Sequence, residues 1–257
     1  MTEIFIVIFA IAIYKLIFWD AKSTGNFYTR NPLIIAHRGL KSDAPENTIK
    51  AFQSAVSYGF QSIELDIVSS KDGVIFCSHN YELDKETDSM GLINEINSDE
   101  LKNVNAIKYN TSEPIPMLKD VFKLIAENIR INIEIKFTGS FDFSTAKSLI
   151  KLLKDINPKH QILVSSFNPF ILIYLHFKNR KIKTAFLIES LMMVGWVYLV
   201  RPNCLNPRYD IINNFIIKLC RNKKMPINAW TVNEYSDHKI CIQNQVHGII
   251  TDNELLI

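Results

Sequence analysis

Beyond Pro32 the chain alternates short apolar runs with longer stretches in which apolar residues recur every three or four positions. The runs predict strands at LIIAH (33–37), SIELDIV (62–68), VIFCSH (74–79), INIEIK (131–136), QILVSSF (161–167), KTAFLI (183–188), PINAWTV (226–232) and HGIIT (247–251), with a shorter candidate at NCLNP (203–207). The three- and four-residue spacing predicts amphipathic helices over 47–59, 118–129, 144–156 and 209–222. Strands alternating with helices imply βα units and a parallel sheet. About eight such units in roughly 225 residues predict an α/β fold, the (β/α)8 TIM barrel. Nine strand candidates are one too many, so one lies outside the barrel. A doubly wound open sheet is the structural alternative, and it calls for a glycine-rich phosphate loop after the first strand. The segment found there, HRGLKSDAPEN, has no such spacing.

The N-terminus breaks this pattern. IFIVIFAIAIYKLIFW (4–19) is apolar apart from Lys15. As a helix it covers roughly 24 Å, a little short of a ~30 Å hydrocarbon core, and Lys15 can snorkel near one end. MTE is not a basic leader and KLIFWD is not a small-residue cleavage site, so a retained transmembrane anchor is expected rather than a cleaved signal. Lys15, Lys22 and Arg30 lie at or beyond its C-terminal end and no Lys or Arg precedes it, which places the large domain in the cytoplasm. The expected organisation is an anchor over 1–19, a linker over 20–31 and one domain over 32–257. A second apolar stretch, SLMMVGWVYLV (190–200), is too short to span a bilayer. It reads as a buried helix or strand, or alternatively as a surface giving lipid access to a site.

Composition narrows the class. The chain is 47% hydrophobic and 21% charged, as globular domains are, and its formal charge of +3 is too small for nucleic-acid binding. Cys77, Cys204, Cys220 and Cys241 form no CxxC pair, so neither a thiolate metal site nor a disulfide framework is expected.

The polar residues inside the strands carry the chemistry. Residues i and i+2 of a strand share a face, so Glu64 and Asp66 point the same way, as do Glu134 and Lys136. His37 and His79 end their runs, and Asp252 follows HGIIT. In a (β/α)8 barrel the C-terminal strand ends carry function. Three carboxylates, Glu64, Asp66 and Glu134, repel one another unless a cation lies between them. Oxygen ligands suit a hard divalent ion, Mg2+ or Ca2+, rather than zinc. The two histidines can flank a substrate as general acid and base, while Arg38 and Lys136 offer charge for a phosphate. His160, His176, His238 and His247 read as structural or solvent-facing.

The segments AHRGLKSDAPENTIKAF, IELDIVSSKDGVIFCSHN, IPMLKDVF, INIEIK, SSF, AWTVN and HGIITD occur in that order. With them the chain resembles the glycerophosphodiester phosphodiesterase family over about residues 33–256. The resemblance implies a barrel that hydrolyses glycerophosphodiesters to glycerol 3-phosphate and an alcohol with a divalent cation, in phospholipid metabolism. It implies His37 and His79 as the acid/base pair, Glu64, Asp66 and Glu134 as metal ligands, and Arg38 as a phosphate contact. Glu46, Asn47 and Lys136 would shape the substrate site, and Phe167 and Trp230 would line it. One departure stands out. The family pattern has His-Asp followed by an Arg-Thr-Thr type sequence, where this chain has His79-Asn80 and then YELDKETDSMG, with Lys85 or Glu86 at the Arg place. Activity is expected to survive, because the histidine is kept. A close variant is a lysophospholipase D acting on lysophospholipids. A catalytically silent barrel that binds phosphodiester lipids is the competitor from another class, and a sugar-phosphate isomerase is more distant.

Overall fold

The computed structural model describes residues 9–11, 14–42 and 44–254. Among them, eight parallel strands form the barrel: β1 (Leu33–His37), β2 (Ser62–Ser69), β6 (Arg130–Ile135), β7 (Ile162–Ser166), β8 (Thr184–Ile188), β9 (Cys204–Pro207), β10 (Asn228–Ala229) and β11 (Gly248–Thr251). Neighbours follow the order β10-β11-β1-β2-β6-β7-β8-β9, and parallel bridges Leu205↔Ile227 and Arg208↔Trp230 bring β9 back to the β10 segment. The strands are rich in Ile and buried on both faces. All eight residues of β2 are buried. One face lies inside the barrel and the other under the helices, which explains the continuous apolar runs.

The expected surplus strand is VIFCSH. Only Ile75–Cys77 is extended there, and this β3 folds back antiparallel on β2 outside the barrel. PINAWTV shrinks to the two residues of β10. A small lobe follows β3 and contains a helical turn, α2 (Ser98–Leu101), and the antiparallel hairpin β4 (Asn105–Lys108) with β5 (Thr111–Pro114). It has its own core of Val68, Phe76, Leu83, Ile93, Leu101 and Ile115.

Local signals fix the helix ends. In α1 (Ile49–Tyr58), the Thr48 hydroxyl accepts from the Ala51 N–H and Gly59 closes the helix in the left-handed region. The other helices are α3 (Leu118–Leu124), α4 (Ser144–Ile156), α5 (Pro169–Lys178), α6 (Val197–Val200), α7 (Asn214–Asn222) and α8 (Tyr235–Gln243). Two of these lacked a periodic signal. PFILIYLHFK is apolar nearly all round, and YSDHKICIQ has too few apolar residues for a stripe; α5 is instead marked by Asn168, whose side chain caps Phe170 N and Ile171 N. Residues 190–200 form a 3-10 segment and α6, with Val194, Val197 and Val200 buried.

The barrel interior holds Leu33, Ile35, Leu163, Ala185, Cys204 and Ile250, joined by buried Phe27. Residues 20–31, the expected linker, run beneath the N-terminal strand ends. The Ala21 N–H donates to the Lys223 carbonyl, and the Tyr28 hydroxyl donates to Asn228 Oδ1 at 2.7 Å. Among the described residues no helix is long and apolar enough to cross a membrane. Residues 1–8, 12 and 13, most of the expected anchor, lie outside the described residues. All four cysteines are buried and free.

Candidate active site

Strand register sets the site. His37 pairs with Glu64, Glu64 with Asn132 and Asp66 with Glu134, so these groups stand at neighbouring levels of adjoining strands. Beyond His37 the chain turns sharply, with Arg38 and Gly39 at φ 58° and 81°. A side chain at Gly39 would stand 2.7 Å from the Ala51 backbone, so only glycine lets this turn lie against α1. The turn aims the Arg38 N–H at Glu64 Oε2 (3.1 Å) and its guanidinium at Glu46 Oε1 (2.5 Å) and Asp66 Oδ2 (2.9 Å).

Asp66 is the centre of the charge network. Lys136 Nζ lies 2.9 Å from its Oδ1 and 2.5 Å from Glu134 Oε1. Asn47, itself in the left-handed region, donates to Asp66 Oδ2 and accepts from the Asp66 N–H, both at 3.0 Å. Burial alone would raise this carboxyl, but Lys136 and Arg38 hold it well below the usual carboxylate range. Glu64 and Glu134 go the other way. Burial raises both, and the neighbouring carboxylates add to it. The cations are also held charged: despite burial, the adjacent carboxylates push Arg38 and Lys136 upward.

This imbalance tests the site for a metal. Glu64, Asp66 and Glu134 each offer an oxygen within 4.8 Å of the others. Asp66 pairs with Arg38 and shares Lys136 with Glu134, whereas among the described residues Glu64 accepts only the Arg38 N–H. A buried carboxylate left this way is stabilised by an added cation, and an all-oxygen set fits a hard divalent ion. The three residues fit such a group.

Both histidines face one cavity of about 230 Å3, lined also by Arg38, Glu64, Glu134, Lys136, Phe167 and Trp230. His37 Nδ1 is 2.8 Å from Asp252 Oδ1. Asp252 is fixed in turn by Lys41 (2.5 Å) and by Asn233, which donates to Oδ2 and accepts from the Asp252 N–H. Burial alone would raise Asp252, but His37 and Lys41 hold it far below the usual range. His79 Nδ1 stands 3.7 Å from Glu86 Oε1. Each ring therefore turns Nδ1 toward a carboxylate, which leaves Nε2 as the working nitrogen. Phe167 meets Trp230 edge to face at 5.2 Å, and the indole N–H donates to the Asn206 carbonyl.

Of the expected site residues, Asp66, Glu46 and Asn47 stand behind the cavity rather than on it. Glu46 holds Arg38, and Asn47 holds Asp66. Asn132, Glu189 and Asp252 are groups the sequence reading did not assign. Asn132 lines the cavity, is 1% exposed, and leaves its Oδ1 without a partner. The period-two rule marks it, because 132, 134 and 136 share a face. A cavity of about 290 Å3 near Arg221, Lys224 and His247 is larger but offers no carboxylate, and it lies toward the other end of the barrel.

Two histidines placed for proton transfer, cations for a phosphoryl oxygen and an acidic set for a metal suit the hydrolysis of a phosphoric diester. The comparisons agree. The profile of the glycerophosphoryl diester phosphodiesterase family matches residues 37–255. A glycerophosphodiester phosphodiesterase of Caldanaerobacter subterraneus subsp. tengcongensis is 32% identical over 228 residues, covering 86% of this chain and 94% of the relative. One from Bacillus altitudinis is 28% identical, covering 85% and 94%. A phosphodiesterase of Oleispira antarctica, solved in complex with the product sn-glycerol-3-phosphate, shares the fold with a TM-score of 0.81 at 23% identity, over 91% of this chain and 98% of that one. The chain belongs to the glycerophosphoryl diester phosphodiesterase family.

Proposed function

We propose that the chain hydrolyses water-soluble glycerophosphodiesters to glycerol 3-phosphate and an alcohol, with Mg2+ or Ca2+ held by Glu64, Asp66 and Glu134. The observation that carries this reading is the pair of carboxylate-backed histidines on one cavity with the acidic set in register beside them. One histidine takes the proton of the attacking hydroxyl, either water or the glycerol hydroxyl next to the diester. The P–O bond to the alcohol breaks, and the other histidine protonates the departing alkoxide. With the glycerol hydroxyl as nucleophile, a cyclic phosphate forms and water then opens it. Arg38 and Lys136 orient the phosphate and balance charge on its non-bridging oxygens. When bound, the cation adds Lewis-acid stabilisation of that same charge.

The test is release of glycerol 3-phosphate from glycerophosphocholine and glycerophosphoethanolamine, with Mg2+, Ca2+ or chelator. Turnover that needs the cation and disappears in both His37→Ala and His79→Ala is expected. A folded protein that turns over neither diester with either ion refutes the reading.

A second reading, lysophospholipase D, draws on one surface. Phe141, 72% exposed, packs on Phe170, which meets Trp196 edge to face, and Met192, 92% exposed, lies in the segment that follows β8. An acyl chain could lie on this rim, and choline release from lysophosphatidylcholine tests it. We also read residues 4–19 as a membrane anchor with the barrel in the cytoplasm. In support, Arg201 donates to the Lys15 carbonyl at 2.7 Å and Lys223 to that of Ile17, so basic groups gather where the apolar segment meets the barrel. That joint is at the bottom of the barrel, away from the histidines. Carbonate-resistant membrane association of the full chain, lost on deleting residues 1–19, is the expected outcome.

A further inference from the structure

The two histidines are backed differently. His37 has Asp252 in direct hydrogen-bond contact, pinned by Lys41 and Asn233. Asn80, next to His79, has an amide where the family pattern carries an acid, so it supplies no charge. The carboxylate beside His79 comes instead from Glu86, in the lobe that follows β3. Asn80 Nδ2 donates to Glu86 Oε1 at 2.7 Å, the same oxygen that faces His79 Nδ1. An aspartate at position 80 would repel Glu86, whereas the amide holds it.

The lobe fixes Glu86 from behind. A single 3-10 turn, Leu83–Lys85, precedes it, and Leu83 is buried in the lobe core. The Glu86 carbonyl accepts from the Ile107 N–H at 2.8 Å, and the Thr87 N–H donates to the Leu83 carbonyl at 2.9 Å. Among the described residues no Lys or Arg lies within ion-pair distance of Glu86, while neighbouring Glu46 is held by Arg38 and Lys41. The side chains that face the Glu86 carboxylate among the described residues are thus the Asn80 amide and the His79 ring.

We propose that Glu86, clamped by Asn80, is a positioning residue that keeps the proton of His79 on Nδ1 and so presents Nε2 to the substrate. The proposal rests on the reading of His79 as one of the two proton-transfer groups. At 3.7 Å the pair is beyond hydrogen-bond length, so the proposal requires the contact to close when substrate binds, as catalytic contacts commonly do. The step it serves stays the same: Nε2 delivers or takes the proton, while Nδ1–H remains directed at Glu86.

The experiment compares Glu86→Gln, Glu86→Asp, Asn80→Ala and His79→Ala in the full chain with glycerophosphocholine at saturating divalent cation. Glu86→Gln keeps an acceptor for Asn80 but removes the charge. Its kcat should fall about 10- to 100-fold, the range for partners that orient a functional histidine, with KM within about twofold. Glu86→Asp should recover part of the loss, and Asn80→Ala should lose less than Glu86→Gln. Nitrogen-15 NMR of the His79 ring should show the Nδ1–H tautomer depleted in Glu86→Gln. If kcat and the His79 tautomer in Glu86→Gln match those of the unaltered chain while His79→Ala is inactive, the proposal is overturned. If His79→Ala retains full kcat, the reading of His79 fails instead.

Discussion

Asn47 offers a direct measure of how firmly the fold holds its central acid. Its side chain makes two hydrogen bonds with Asp66, both at 3.0 Å, and it is 3% exposed. In Asn47→Ala, Asp66 Oδ2 loses a donor and the buried Asp66 N–H loses its acceptor. A hydrogen bond to a charged group contributes about 1.5–3 kcal/mol, and a buried N–H left without a partner costs about 1–3 kcal/mol. Alanine at φ 57° adds strain of about 1 kcal/mol. The loss should therefore be about 3.5–7 kcal/mol, a large share of the 5–15 kcal/mol that stabilises a typical domain. Asn47→Gly removes the strain but not the lost bonds, so it should be about 1 kcal/mol more stable than Asn47→Ala. Urea unfolding in chelator measures both, and chelator keeps a bound cation from masking the change. A cost under about 1 kcal/mol for Asn47→Ala would mean that water replaces the amide and that Asp66 is not held as described. Equal stabilities for the alanine and glycine variants would remove the strain argument alone.

Three further outcomes follow from the charges. Lys136→Met leaves Asp66 and Glu134 short of a cation, which should cost about 3–5 kcal/mol in chelator; saturating Ca2+ or Mg2+ should narrow that gap, and a gap indifferent to either ion argues against shared ligation. The unaltered chain should gain about 2.7 kcal/mol in a thermal-shift titration at a hundredfold excess of ion over Kd, and Glu64→Gln should lose most of it; an unchanged shift in that variant removes Glu64 from the ligand set. Asp252 is a carboxyl whose folded pKa lies below its unfolded one. Its stabilisation is complete above the unfolded value of about 3.9 and is lost as pH falls through the folded value. The stability difference between the unaltered chain and Asp252→Asn should thus be full at pH 7 and shrink below about pH 4. Denaturant unfolding at both pH values checks this, and a difference that grows on acidification contradicts the assigned shift.

Much of this architecture is legible in the residues, because period-two and helical spacing are local properties. β1 and α4 fall at their expected boundaries, Leu33–His37 and Ser144–Ile156. What is not local was harder to read. VIFCSH has strand composition, yet nothing in it tells whether its partner runs parallel or antiparallel. The β4–β5 hairpin is polar and half exposed, so no apolar alternation marks it. Period two also placed Glu64 with Asp66, and Glu134 with Lys136, on common faces, but it could not give register. Register decides that Asp66 meets Glu134 and His37 meets Glu64. Asn47 shows the same limit. The family resemblance marks it as a site residue, but only the fold reveals that it serves Asp66 from behind the cavity.

The division between strand and loop then bears on how such a site changes. His37, Glu64, Asp66 and Glu134 all sit on barrel strands whose neighbours fix them by hydrogen bonds. Moving any of them requires the sheet to move. His79 lies just beyond β3, and Glu86 belongs to a lobe with a separate core, tied back to α1 by the Lys50–Glu113 pair and to the first turn by Lys108 on the Lys41 carbonyl. That core borders the barrel at Val68 of β2 and through the β2–β3 pairing, while its other residues belong to the lobe. The strands therefore hold the acidic set and one histidine at fixed spacing, while the second histidine and its carboxylate lie beyond β3. In this chain the amide at position 80 holds the acid six residues later, so that its carboxylate faces the ring nitrogen of His79.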